Sequence, residues 1–254
     1  HYSTTLEALE HLRGASAIPC LFVPGNHDLW RVEPNLNPAP ASSSAAAPPP
    51  LNGSAAVPPA TDPAAWSAWR SYEALLSFPG NLSRGPMELP DGWLAVGEVG
   101  WYDYAFGDPG YSLEDFDRMQ IDGRLWMDKV LAVWDRSTLD MHRWFLERLR
   151  RWISEHRGRR ILLVTHSVSH VGFTVRPADR QWAYLNAFLG SPEYGRLAVE
   201  SNAALAVCGH VHFRRRLTEG RTLFLCSCLG YASEWGAETD PAREAERALL
   251  TVEL

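Results

Sequence analysis

Lysine is almost missing from this 254-residue chain: of its 24 basic residues only Lys129 is lysine. The arginine bias, with abundant alanine and proline, points to a GC-rich bacterial genome. There is no basic excess either. The net charge is −6 and the pI about 5.9, which argues against the electrostatic footprint of a nucleic-acid binder and makes a DNA-processing nuclease the disfavoured reading. A small phosphorylated substrate stays open, because bound metal ions reverse the local field. Cysteine is scarce. Cys20, Cys208, Cys226 and Cys228 form no C-x-x-C pair, and buried reduced thiols in a reducing cytoplasm are the expectation. No apolar run approaches the ~18 residues of a membrane span. No signal peptide is visible, although the chain starts at His1 rather than Met, and there are no internal repeats. Residues 1–24 contain no aspartate.

The remaining composition is that of an ordinary globular protein, with 46% hydrophobic and 21% charged residues. The length suits one large domain. Three apolar runs each deliver polar, chemistry-bearing residues at their C-terminal ends. Cys20 to Val23 leads into Gly25-Asn26-His27-Asp28. Ile161 to Thr165 leads into His166. Ala204 to Cys208 leads into Gly209-His210-Val211-His212. Runs of this length read as buried strands, and the ends of parallel strands are where open α/β sheets gather ligands. Amide oxygen and imidazole nitrogen suit divalent ions of intermediate hardness.

These three motifs, in this order, resemble those of the calcineurin-like metallophosphoesterases, and the resemblance spans roughly residues 4–254. It implies an α/β fold, a four-layer α-β-β-α sandwich of two mixed sheets. It also implies a pair of divalent ions (Mn, Fe or Zn) and hydrolysis of a phosphomonoester or phosphodiester by a metal-bridging hydroxide. By the same resemblance Asn26, His166 and His210 would hold the second metal and His212 would belong to the first. His27 would stabilise or protonate the leaving oxygen. The family's earlier Asp-x-His and Gly-Asp-x-x-Asp motifs are missing; Asp140-Met141-His142 and Gly107-Asp108 match them only by coincidence of spacing. The chain is therefore expected to start just past those motifs, without the first strands. The alternative is an impaired fragment or pseudoenzyme acting as a binding module.

The whole chain reads as one domain. A helix is expected over residues 4–13 and another over 64–78, where Trp66, Trp69, Tyr72, Leu75 and Leu76 recur at helical spacing. Between them, residues 34–63 form a Pro/Ala/Ser-rich flexible insertion. Residues 97–135 read as a cap over the site, with Tyr102 and Asp103 as weak substrate-binding candidates beside His170 and Asn186. A Ser137 cap opens a long helix reaching Glu155, with Arg148, Arg150 and Arg151 expected on its solvated face. Strands are expected at 93–96, at 213–217 paired with 222–226, and finally at 248–254.

Overall fold

The structure is a computed structural model and describes residues 2–15, 18–30, 67–176, 178–236 and 239–253. The 34–63 insertion lies outside the described residues. Among the described residues the first two α-helices are α1 (Tyr2–Ala15) and α2 (Ala68–Leu76). The strands are β1 (Met87–Glu88), β2 (Trp93–Glu98), the small pair β3 (Gln120–Ile121) and β4 (Arg124–Leu125), then β5 (Arg160–Thr165), β6 (Leu205–Cys208), β7 (Arg214–Glu219) and β8 (Thr222–Ser227). The remaining helices are α3 (Leu113–Arg118), α4 (Asp128–Leu131), α5 (Thr138–Glu155), α6 (Arg180–Leu185), α7 (Pro192–Glu200) and α8 (Pro241–Ala248).

Six strands form one mixed sheet in the order β1-β2-β5-β6-β8-β7. The inner four run parallel and the two edge strands antiparallel. Alternate residues explain the packing. Leu94, Val96, Ile161, Leu163, Ala206 and Phe224 share a cluster with Leu149, Trp152 and Ile153 of α5 and with Tyr194 and Leu197 of α7, so both helices cover one face of the sheet. Each helix begins at a serine cap that quenches a free first-turn N–H: Ser137 accepts from Asp140 and Ser191 from Glu193. A second, aromatic cluster contains Trp69, Tyr72, Trp101, Tyr102, Phe116, Tyr184 and Phe188. Trp126 and Trp182 touch both clusters.

Four expectations need correction. Among the described residues there is one six-stranded sheet and the two-stranded β3–β4 ribbon; a second mixed sheet, and with it a four-layer sandwich, is not seen. Residues 20–23 do not join the sheet. Phe22 makes a single parallel bridge to Asn81, its N–H donating to Gly80 O and its carbonyl accepting from Leu82. Residues 249–253 are not a strand but trail irregularly from α8. Arg148 is not solvated. It is buried between the rings of Trp144 and Trp152, its guanidinium 2.6 Å from the Glu98 carboxylate, and it also donates to Ser83 O at 2.7 Å. Its position on the helix turns it toward β2, and Tyr72 Oη completes the network by donating to Glu98 at 3.0 Å. Among the described residues no helix is long and apolar enough to cross a membrane.

Candidate active site

The parallel strands β5 and β6 end side by side, with Thr165 opposite Cys208. His166 and Gly209-His210 therefore emerge together. The Gly25–Asp28 turn meets them from the other side. Asp28 closes that turn by accepting from the Gly25 N–H at 2.7 Å and from Thr5 Oγ1 at 2.5 Å, so its carboxylate, at the cleft wall, holds the backbone of the turn. Gly25 is required by close approach: a Cβ there would lie 2.8 Å from Cε1 of His166.

His210 carries the clearest sign of strain. Its φ is 69°, left-handed for a residue with a side chain, and Val211 N–H bonds back to Gly209 O at 2.8 Å. Such a turn centred on a non-glycine residue costs on the order of 1–3 kcal/mol and persists where the surroundings over-determine it. It swings the ring back toward Asn26.

Three atoms converge as a result. His166 Nε2 lies 2.9 Å from Asn26 Oδ1 and 3.0 Å from His210 Nδ1, and His210 Nδ1 lies 3.2 Å from the same Asn26 oxygen. The orientation of the Asn26 amide follows from its other neighbour. Its Nδ2 donates to Asp128 Oδ1 at 2.8 Å, and a carboxylate only accepts, so the amide oxygen must face the rings. Asp128 also accepts from the indole N–H groups of Trp30 (2.6 Å) and Trp126 (2.9 Å). It is buried and fixes Asn26 and two aromatic walls at once.

The two rings are uncharged at neutral pH. Burial pulls the His166 pKa well below the usual histidine value, and His210, His27 and His212 push it the same way. Burial also lowers His210, to about 4, against an opposing pull from Asp128. Neutral imidazoles offer lone pairs. Two nitrogens and one amide oxygen with mutual separations near 3 Å present more acceptor capacity than one shared proton satisfies, and a cation satisfies all three. Donors ~2.1 Å from one ion are ~3.0 Å apart at a right angle and ~3.4 Å apart at the tetrahedral angle; the observed 2.9, 3.0 and 3.2 Å lie within reach of both. The donor set thus fits one divalent ion. Among the described residues no group of three His, Cys, Asp or Glu side chains is placed to hold a metal.

His27 and His212 line the same cleft, about 850 Å³ in volume, but stand outside this trio. His27 packs at a 32° tilt against Trp30 with ring centres 3.7 Å apart, and its Nδ1 lies 3.2 Å from Tyr231 Oη. Burial lowers its pKa in spite of Asp128 and Asp28 nearby. His212 Nδ1 is held by Glu234 at 2.8 Å, and its ring meets the edge of Tyr231.

The fold resembles that of a solved hydrolase. The crystal structure of phosphopantetheinyl hydrolase (PptH) from Mycobacterium tuberculosis superposes with a TM-score of 0.61 at 17% identity, covering 85% of this chain and 70% of that one. No family model and no curated protein matches the chain. The assignment to the calcineurin-like metallophosphoesterases is therefore corrected: short strand-end motifs suggested it, and the family comparison does not support it. At this identity the structural likeness speaks for the fold alone.

The four weak candidates are structural. Tyr102 is buried in the aromatic cluster. Asp103 accepts from Ser191 Oγ at 2.6 Å and from the Ala105 N–H at 3.0 Å. His170 pairs with Glu219 at 2.8 Å on edge strand β7. Asn186 exchanges hydrogen bonds with the backbone of Val175. None of them lines the cleft. Of the expected cap, residues 124–128 reach the cleft, while the 97–106 stretch is a packed aromatic corner. Asp128, Tyr231 and Glu234 were not singled out from the sequence. No local signal marks Asp128, which stands between Met127 and Lys129 with Asp122 and Asp135 nearby.

Proposed function

We propose that this protein is a metal-dependent hydrolase of a small phosphoester, with a divalent cation held by Asn26, His166 and His210. The convergence of those three donor atoms, with both imidazoles kept unprotonated, carries the reading. A divalent ion bound there supplies Lewis acidity toward a phosphoryl oxygen. Amide oxygen and imidazole nitrogen suit Mn(II), Fe(II) and Zn(II) alike. A second ion near His212 is part of the proposal; there His212 would first have to leave Glu234.

The chain's own groups assign the remaining roles. His27 is uncharged at neutral pH and lies beside the trio, where its ring N–H donates a hydrogen bond to the departing oxygen. Tyr231 orients that ring. Trp30, Trp126 and Trp182 wall the cleft with Leu125, Met127 and Leu229, which suits a leaving group with an apolar or planar body. Arg124, at the same cleft, is available to a further anionic group of the substrate.

The test is hydrolysis of bis(4-nitrophenyl) phosphate and 4-nitrophenyl phosphate by chelator-stripped protein resupplied with Mn(II), Fe(II) or Zn(II). Cation-dependent turnover that disappears in Asn26→Ala and His210→Ala supports the proposal. A folded protein that turns over neither ester with any of the three ions refutes it. One observation favours a second reading, a binding module: the trio contains no carboxylate. That reading predicts phosphoester binding without turnover.

A further inference from the structure

Cys226, the penultimate residue of β8, is buried in the sheet core. Cys228 is half-buried and lines the cleft. Ser227 between them turns the other way and donates to Ala248 O at 2.9 Å, so the two thiols share one face, as an extended chain dictates. Their sulfurs are 3.6 Å apart. Two residues of strand span ~6.6 Å, within the ~4.4–6.8 Å Cα separation of disulfides, and closing to a bond of about 2.05 Å leaves roughly 1.5 Å to cover by side-chain rotation. The Phe213 carbonyl accepts from both the Cys228 N–H at 3.4 Å and the Cys226 thiol at 3.6 Å. Phe213 directly follows His212, so this thiol helps anchor the segment that carries His210 and His212.

We propose that Cys226 and Cys228 are a peroxide-reactive dithiol whose closure to a disulfide loosens the segment 209–213 at the cleft. Cys228, open to the cleft, is the attacking thiolate. It displaces hydroxide from hydrogen peroxide and becomes a sulfenic acid. The Cys226 thiol then attacks that sulfur, the S–S bond forms and water leaves. Two thiols are oxidised by two electrons and one peroxide is reduced to two waters. The order of events agrees with the surroundings. A Cys228 thiolate takes up the single Cys226 S–H that otherwise bonds Phe213 O, and this hydrogen bond holds the Cys228 thiol below its usual range, helped by the Arg214 guanidinium and the Val211 backbone against burial. Hydrogen bonds with Cys208 and Cys228, together with burial, push Cys226 well up. Losing the thiol contact leaves Phe213 O with the long Cys228 N–H bond alone and loosens the segment at the His210 turn, where strain is already stored.

The full chain is treated with stoichiometric hydrogen peroxide and followed by intact mass, non-reducing peptide mapping and amide hydrogen exchange. The expected result is loss of two hydrogen masses and a Cys226–Cys228 cross-link, with severalfold faster exchange over residues 209–213. Dithiothreitol reverses all three changes. The cross-link and the faster exchange are absent in Cys228→Ser and in Cys226→Ala, and retained in Cys20→Ser. Oxidation of Cys228 to sulfinic acid without a cross-link, a Cys208–Cys226 bond, or unchanged exchange in the cross-linked protein overturns the proposal. None of these readouts requires phosphoester turnover.

Discussion

Asp128→Asn keeps the shape of the side chain and removes its charge. In the wild type Oδ1 accepts from Asn26 and Trp30 and Oδ2 from Trp126. In the variant one carboxylate oxygen becomes an NH2 group, so one of these three donors meets a donor. Losing one charge-assisted bond costs ~1.5–3 kcal/mol, and the two that survive fall toward the ~0.5–1.5 kcal/mol of neutral bonds. Relief of the buried carboxylate's desolvation offsets part of this, leaving a net cost of about 2–3 kcal/mol. At ~2–4 °C per kcal/mol for a domain of this size, the melting temperature falls by about 5–10 °C. The second consequence is chemical. Asn26 loses the partner that dictates which end of its amide faces the rings, and removing such an outer partner typically weakens metal binding by ~10–100-fold. Thermal melts by circular dichroism and Mn(II) titration by calorimetry measure the two effects separately. A variant that melts within about 2 °C of the wild type and binds Mn(II) unchanged refutes the assigned role of Asp128.

Other consequences follow from the same geometry. His210→Gly and His210→Ala both remove the ligand and abolish Mn(II) binding, but glycine accepts the left-handed backbone freely, so His210→Gly melts higher, by ~1 kcal/mol of stability; equal melting temperatures contradict the strain. Gly25→Ala forces the His166 ring away, since the added carbon would lie 2.8 Å from it, and calorimetry should register lost Mn(II) affinity in a protein that still melts cooperatively. The metal-free protein depends on pH through its buried rings. The folded pKa of His210, about 4, lies below the ordinary 6.5, and His166 shifts the same way. The unfolded chain therefore binds more protons as pH falls, so stability is fully present above about 6.5 and is lost toward 4, by on the order of 3 kcal/mol for His210. Urea unfolding at pH 7.5 and 4.5 checks this, and a flat profile contradicts it. Glu98→Gln leaves the buried Arg148 without its counter-charge and costs about 3–5 kcal/mol, readable as a lower urea midpoint.

What the sequence disclosed was local. Apolar runs gave β2, β5 and β6, and the Ser137 cap gave the start of α5. The strand ends at His166 and His210 were legible because parallel strands place successive C-termini side by side. What it concealed was long-range. Asp128 lies 102 positions from Asn26, so an acid in an aromatic stretch carried no mark of its partner. Arg148 looked like one of several cations on a solvated helix face until Glu98 of β2 turned up beneath it. His170, Asp103, Tyr102 and Asn186 were polar residues near motifs, and each proved to hold a loop or a core contact. The residues at 20–23 satisfy the apolar pattern of a strand, but they bridge to the loop at Asn81 instead of joining the sheet.

The central claim is that Asn26, His166 and His210 share one cation. Anomalous diffraction from crystals soaked in Mn(II) tests it most directly. The account predicts a peak bonded to Asn26 Oδ1, His166 Nε2 and His210 Nδ1 together. Soaked crystals with no peak among those three atoms, or with manganese bound only elsewhere, contradict it.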